Sequence, residues 1–141
     1  MVRVMASGVF DLIHPGHIDY LKQAKSYGDH LTVVIASDET VRRKKHEPVT
    51  PDVMRAKIVD SLKPVDEVIV GGNGDILDTV AKVRPDIIVL GYDQHFDEKK
   101  LESELASKGF EGIRVVRATE CADDLNATRR IVAKIREMGS R

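Results

Sequence analysis

His14 and His17 stand three residues apart, across Pro15 and Gly16, where a helix is expected to begin. Side chains three apart on a first helical turn share a face. Gly16 leaves room beside the backbone amides, which together with the helix dipole favour an anion. The chemistry this suggests is phosphate binding, with two imidazole donors and a helix N-terminus converging on one group. Gly8, at the end of the preceding apolar run, lets a ligand approach the backbone closely. A His-x-x-His pair also occurs in metal sites, but no matching cysteine or histidine cluster accompanies this one, and no metal ligands are assigned. Single histidines are mostly structural or solvated. The full pattern Gly8-x-Phe10-Asp11-x-x-His14-x-Gly16-His17 is a different matter. At average residue frequencies it recurs by chance in on the order of one in a million chains of this length, which favours the functional reading.

Three other polar stretches follow apolar runs in the same way. Arg42-Arg43-Lys44-Lys45-His46 concentrates cations, a pattern that elsewhere is a solvated helix face. Gly91-Tyr92-Asp93-Gln94-His95-Phe96-Asp97-Glu98 offers a sharp turn, with Asp93 able to accept hydrogen bonds from a ribose or base and Asp97 placed to cap a helix. Arg117 precedes Asn126-Ala127-Thr128-Arg129-Arg130, where Asn126 suits a helix cap.

Positioning these stretches requires a particular scaffold. The apolar runs Val2–Ala6, Leu31–Ala36, Val65–Val70, Ile87–Leu90 and Ile113–Val116 are rich in valine and isoleucine, as strands buried on both faces should be. Between them the spacing turns helical. Ile18, Leu21 and Ala24 share a face after Pro15. Thr50-Pro51 reads as an N-cap and first helical residue, with Val53, Ala56, Ile58, Val59 and Leu62 mostly on one side. Asp75–Val83, Asp97–Ser107 and Asn126–Met138 complete the helices. The alternation predicts an α/β, Rossmann-like, doubly wound parallel sheet of five strands with helices on both faces. Ligands of such sheets bind beyond the carboxyl ends of the strands, where strand order reverses, and all four polar stretches fall on that edge.

The 141 residues and their even composition are read as a single domain, residues 1–141. A net charge of −1 supplies no global basic field, so no nucleic-acid partner is expected and phosphate chemistry must rest on local donors. Cys121 is the only cysteine, which fits a reducing, cytoplasmic compartment and leaves its thiol without an assigned role. No apolar run approaches a membrane span, and no membrane partner is expected.

The motif around His14 and His17 resembles that of the cytidylyltransferase-like nucleotidyltransferases, over nearly the whole chain. The resemblance implies attack by a substrate phosphate on the α-phosphorus of a nucleoside triphosphate, with release of pyrophosphate. It makes His14, His17 and Lys44 the catalytic residues. Val9, Phe10, His14, Pro15, Gly16, His17, Asp93, Arg117 and Thr128 would bind the nucleotide. Mg²⁺, or another divalent cation, would be held mainly by the triphosphate. Relatives commonly carry a second lysine two positions after Lys44; His46 stands there, with Lys45 as a substitute. Arg55 resembles a recurring family arginine, a surface salt bridge being the alternative. Ala127 departs from a common serine. The Gly91–Glu98 string most resembles archaeal-type FAD synthetases, so ATP and FMN are the expected substrates and a homodimer the expected assembly. Cytidylyl transfer from CTP to glycerol 3-phosphate or phosphoethanolamine is one alternative, adenylyl transfer to a heptose 1-phosphate another, and a non-catalytic nucleotide-binding module a third.

Overall fold

The computed structural model describes residues 1–44, 46–72, 76–121 and 128–139. Five strands alternate with helices along the chain: β1 (Arg3–Gly8), α1 (Pro15–Ser26), β2 (His30–Ile35), α2 (Asp38–Lys44), α3 (Asp52–Asp60), β3 (Glu67–Val70), α4 (Ile76–Val83), β4 (Ile87–Leu90), α5 (Glu98–Ser107), β5 (Arg114–Arg117) and α6 (Thr128–Gly139). The sheet order is β3-β2-β1-β4-β5, and every pairing is parallel.

Strand alternation divides the core into two layers. Val4 and Ala6 of β1, Leu31, Val33 and Ile35 of β2, and Ile87 and Val89 of β4 pack with Leu21 and Ala24 of α1 and Val59 of α3. Their neighbours Met5, Val34, Ile88 and Leu90 point the other way, onto Val80 of α4 and Leu101 and Leu105 of α5. Helices therefore cover both faces, as the alternating pattern predicts.

Several local expectations are corrected. The cationic run does not follow β2 directly: Arg42, Arg43 and Lys44 form the last turn of α2, where positive charge interacts favourably with the helix dipole. Thr50 does not cap α3: Pro51 occupies the cap position without a side-chain bond, and the Thr50 hydroxyl donates to Asp11 instead. The buried side of α3 also differs. Val53 and Ile58 are exposed, whereas Arg55 is fully buried beside Val59. Asp97 does cap α5, accepting from the Lys100 amide at 2.9 Å. Asn126, with Ala127, Lys45 and Asp75, lies outside the described residues. None of α6 is buried.

Candidate active site

The chain runs outward from β1 through β2 to β3, then crosses back to β4 and on to β5. The carboxyl ends of β1 and β4 therefore border the crevice where strand order reverses. Their register ends at Ala6 opposite Val89. Beyond that pair, the Tyr20 hydroxyl accepts from the Ser7 amide at 3.2 Å and donates to the Val89 carbonyl. Gln94 works beside it, accepting from the Gly91 amide at 2.9 Å and donating to the Ser7 carbonyl at 3.5 Å. Two side chains thus satisfy the backbone where the ladder opens. A cavity of about 320 Å³ lies there, its lining including Val9, Phe10, His14, Gly16 and His17.

His14 and His17 are brought together, their rings stacked with centroids 3.8 Å apart. The arrangement is a capping box built from histidines. His14 Nδ1 accepts from the Gly16 amide at 3.1 Å, and His17 Nδ1 accepts from the His14 amide at 3.3 Å. A ring nitrogen that accepts carries no proton, so each neutral imidazole keeps its proton on Nε2. Burial lowers the pKa of His14. Burial, followed by repulsion from His14, pushes His17 down to about 3. Near neutral pH the pair presents two neutral Nε2–H donors.

The amides of the first helical turn, expected to be open to an anion, are already engaged. Gly16 donates to His14 Nδ1, and both His17 and Ile18 donate to the His14 carbonyl at 3.0 and 3.3 Å. The imidazoles, rather than this backbone, are left as the donors of the turn. Gly8 also has a different reason to be small: a Cβ there would stand 2.8 Å from the Phe10 ring. Phe10 itself adopts φ 53° and Leu12 φ 24°, in the left-handed region that disfavours side chains. Strain of this kind, about 1–3 kcal/mol per residue, persists where surroundings over-determine it. Phe10 is buried against the His17 ring at 5.1 Å and the Tyr20 ring at 6.4 Å.

Asp11 borders the cavity, and both its carboxylate oxygens bond within the protein. Its Oδ2 accepts from the Val49 amide at 2.7 Å, and its Oδ1 from the Thr50 amide and hydroxyl at 3.0 and 2.7 Å. Burial alone would raise its pKa; the bonds from Thr50 and Val49, with the charge of Arg55, overcome that and lower it. Arg55 completes the clasp. Its guanidinium donates to the carbonyls of Thr50, Val9 and Ala36 at 2.8–2.9 Å and to Asp38 Oδ1 at 2.6 Å. Far from making a surface salt bridge, it ties the β1 loop, the end of β2 and the segment before α3 into one unit. That unit brings His46 to the cavity wall.

The remaining expected residues separate. Asp93 and Thr128 line the cavity. Pro15 is exposed and borders a neighbouring hollow with Ile13, Ile18 and Lys22. Lys44 is exposed at the end of α2 and does not line the cavity. Arg117 also lies outside the lining, its guanidinium turned onto the loop after β4. Tyr20, Tyr92, Gln94, Cys121 and Arg129 face the cavity without having been assigned to it. Of these, Gln94 and Tyr92 lay within a stretch already marked by its position after a strand. Tyr20 carried no signal beyond its place on α1. No group of three or more His, Cys, Asp or Glu side chains is gathered for a metal among the described residues.

The fold and the paired donors at its switch point define the class, and comparison with known proteins agrees. A family model described as cytidylyltransferase-like matches residues 5–133, and the chain belongs to that family. Within it, the chain belongs with the FAD synthases. It is 53% identical to the FAD synthase of Aciduliprofundum boonei, covering 96% of this chain and 91% of that protein. To the FAD synthase of Thermoplasma acidophilum it is 47% identical, over 98% of this chain and 96% of the other. The crystal structure of a lipopolysaccharide core biosynthesis protein from Thermoplasma volcanium superposes with a TM-score of 0.83 at 46% identity, covering 86% of this chain and 98% of that one. No helix among the described residues is long and apolar enough to cross a membrane.

Proposed function

We propose that this protein transfers AMP from ATP to FMN, forming FAD and pyrophosphate. The observation that carries the reading is the stacked His14–His17 pair, whose two Nε2–H donors sit at the switch point of a chain so similar to FAD synthases. A phosphate oxygen of FMN attacks the α-phosphorus, the bond to the bridging α–β oxygen breaks, and that oxygen leaves on pyrophosphate. The nucleophile is already ionised, so no general base is required. The protein's task is to stabilise charge developing on the α- and β-phosphate oxygens, the work of preorganised donors. His14 and His17 supply them. Lys44 adds positive charge from the α2 terminus, while Asp93 and Thr128 hold the nucleoside and phosphate ends.

A divalent cation bound to the triphosphate would neutralise part of its charge. The residues fit a cation that arrives with its substrate: the buried carboxylate nearest the histidines in sequence, Asp11, has both oxygens committed to Val49 and Thr50. A homodimer is the assembly that the family resemblance implies, and light scattering measures it.

Chromatography of FMN, ATP and Mg²⁺ incubated with the protein tests the function. FAD and pyrophosphate should appear in equal amounts, with CTP a poor replacement for ATP. A second arm replaces FMN with heptose 1-phosphate, an acceptor made relevant by the lipopolysaccharide core biosynthesis protein among the similar structures. A third supplies CTP with glycerol 3-phosphate. Turnover in either of those arms without FAD formation would overturn the assigned substrate and leave the family unchanged.

A further inference from the structure

The Arg117 side chain is saturated by the protein's own acceptors. A guanidinium has five N–H bonds. In Arg117, Nε donates to Glu98 Oε1 at 3.0 Å. Nη1 serves the carbonyls of Gly91, Gln94 and, at longer range, Tyr92, at 3.1, 2.7 and 3.4 Å. Nη2 donates to the Phe96 carbonyl and again to Glu98 Oε1. No N–H is left for a phosphate, and the Glu98 carboxylate balances the charge that would attract one. The carbonyls it gathers come from successive turns of one loop, Gly91 to Phe96, which runs from β4 to α5 and carries Asp93 to the cavity wall. Within the loop the Gln94 amide donates back to the Gly91 carbonyl and the Gln94 side chain accepts from the Gly91 amide; Arg117 binds the carbonyls of Gly91, Tyr92, Gln94 and Phe96.

We propose that Arg117 is a positioning residue: it shapes the β4–α5 loop so that Asp93 meets the nucleoside, and it makes no contact with the triphosphate. This rests on the reading of Asp93 as a nucleoside contact given above. A phosphate ligand and a loop organiser differ in which part of the nucleotide they affect. Loss of a loop organiser weakens adenosine, AMP and ATP alike, and spares pyrophosphate. Loss of a phosphate ligand weakens ATP and pyrophosphate, and spares adenosine. Lysine keeps the charge but cannot fan out over several carbonyls, so Arg117→Lys should not rescue.

Glu98→Gln gives an independent arm with an opposite sign. If the guanidinium were held in reserve for phosphate, removing its carboxylate partner would free it and tighten ATP binding. If it organises the loop, removing one of its anchors loosens the loop and weakens ATP binding.

The experiment measures steady-state KM for ATP, kcat, and inhibition by adenosine, AMP and pyrophosphate for the wild type, R117K and E98Q, with thermal melts to establish folding. For R117K, KM for ATP and the inhibition constants of adenosine and AMP should rise together by about tenfold, the scale of one lost hydrogen bond to a charged group. Its kcat should stay within about twofold, because a ground-state contact is what is lost. Pyrophosphate inhibition should be unchanged, and E98Q should raise KM for ATP. Weakened pyrophosphate inhibition with normal adenosine inhibition in R117K, or a lowered KM for ATP in E98Q, would overturn the proposal. A wild-type protein insensitive to adenosine would instead overturn the nucleoside role of Asp93, and the pyrophosphate and E98Q arms would still report on Arg117 directly.

Discussion

Asp11→Asn isolates what the motif carboxylate does, because it changes charge and hydrogen-bonding sense without changing shape. Asp11 is 5% exposed and receives bonds at both oxygens, from the Val49 amide on one side and from the Thr50 amide and hydroxyl on the other. An asparagine has one oxygen and one NH2. Placing the oxygen toward Thr50 turns the NH2 against the Val49 N–H, donor against donor; the flipped rotamer strands Thr50 instead. The better orientation still loses one charge-assisted bond and leaves a buried amide unsatisfied, a cost of about 2–3 kcal/mol. For a chain of this size each kcal/mol moves the midpoint by about 3 °C, so the variant should melt about 6–9 °C lower at pH 7.

The pH dependence separates this mechanism from a general packing defect. Asp11 titrates below its ordinary 3.8 in the folded protein, since its bonds from Thr50 and Val49 outweigh the burial that would raise it. The folded state thus binds the proton less readily than the unfolded one, and the stabilisation is fully present above the unfolded pKa. It is lost as pH falls through the lower, folded value. The gap between wild type and D11N should be constant from pH 7 to about 5 and narrow toward pH 3. Differential scanning calorimetry across that range measures it. Equal midpoints at neutral pH, or a gap that stays undiminished in acid, would refute the role assigned to the carboxylate.

The remaining predictions concern the donors themselves. His14→Ala and His17→Ala should each lower kcat by about 10²–10³, the usual loss of one oxyanion donor, as measured by stopped-time FAD formation at saturating ATP; near-normal turnover in a folded variant would exclude the role. In the free protein His17 should remain neutral far below pH 6.5, with NMR of the imidazole protons placing its midpoint near 3. Its unfolded counterpart takes up a proton near 6.5, so the native state loses stability as pH falls from 6.5 toward 3. Lys44→Ala should reduce kcat/KM for ATP about tenfold and Lys44→Arg should recover most of it, as steady-state kinetics will measure; no effect would make Lys44 an ordinary cation at a helix end.

What could be read from the sequence was whatever short-range periodicity encodes. The five strands, the helix after Pro15 and the capping role of Asp97 all follow from residues within a few positions of one another. The histidine pair was legible for the same reason, its spacing and its helix start being local. Arg55 and Arg117 were not. Whether an arginine is solvated, bound to substrate or buried depends on acceptors that arrive from distant segments, and Arg55 draws on Val9, Ala36, Asp38 and Thr50 together. The apolar Val53 and Ile58 then suggested a buried side of α3 that the arginine actually fills. Phe10 is a further case. Its left-handed φ is unfavourable by local preference and is held by the Tyr20 and His17 rings, neither of which a propensity scale can see.

The division of labour inside the motif explains why it can identify a reaction type and leave the acceptor open. Gly8 and Phe10 fit one another, Asp11 fixes the segment before α3, and each histidine spends its Nδ1 on the helix start. That leaves each ring its Nε2–H as the donor, and donors of that kind serve any phosphate undergoing displacement. Preorganisation comes from the scaffold bonds, which the protein makes with its own groups. Selectivity for what the phosphate is attached to must come from residues outside the motif. The cavity wall contributed by Tyr92, Asp93 and Gln94 sits on a loop with little regular structure. That loop is shaped by Arg117, so a change of acceptor or base in this protein needs a change in the Arg117 contacts as well as in the residues that touch the ligand.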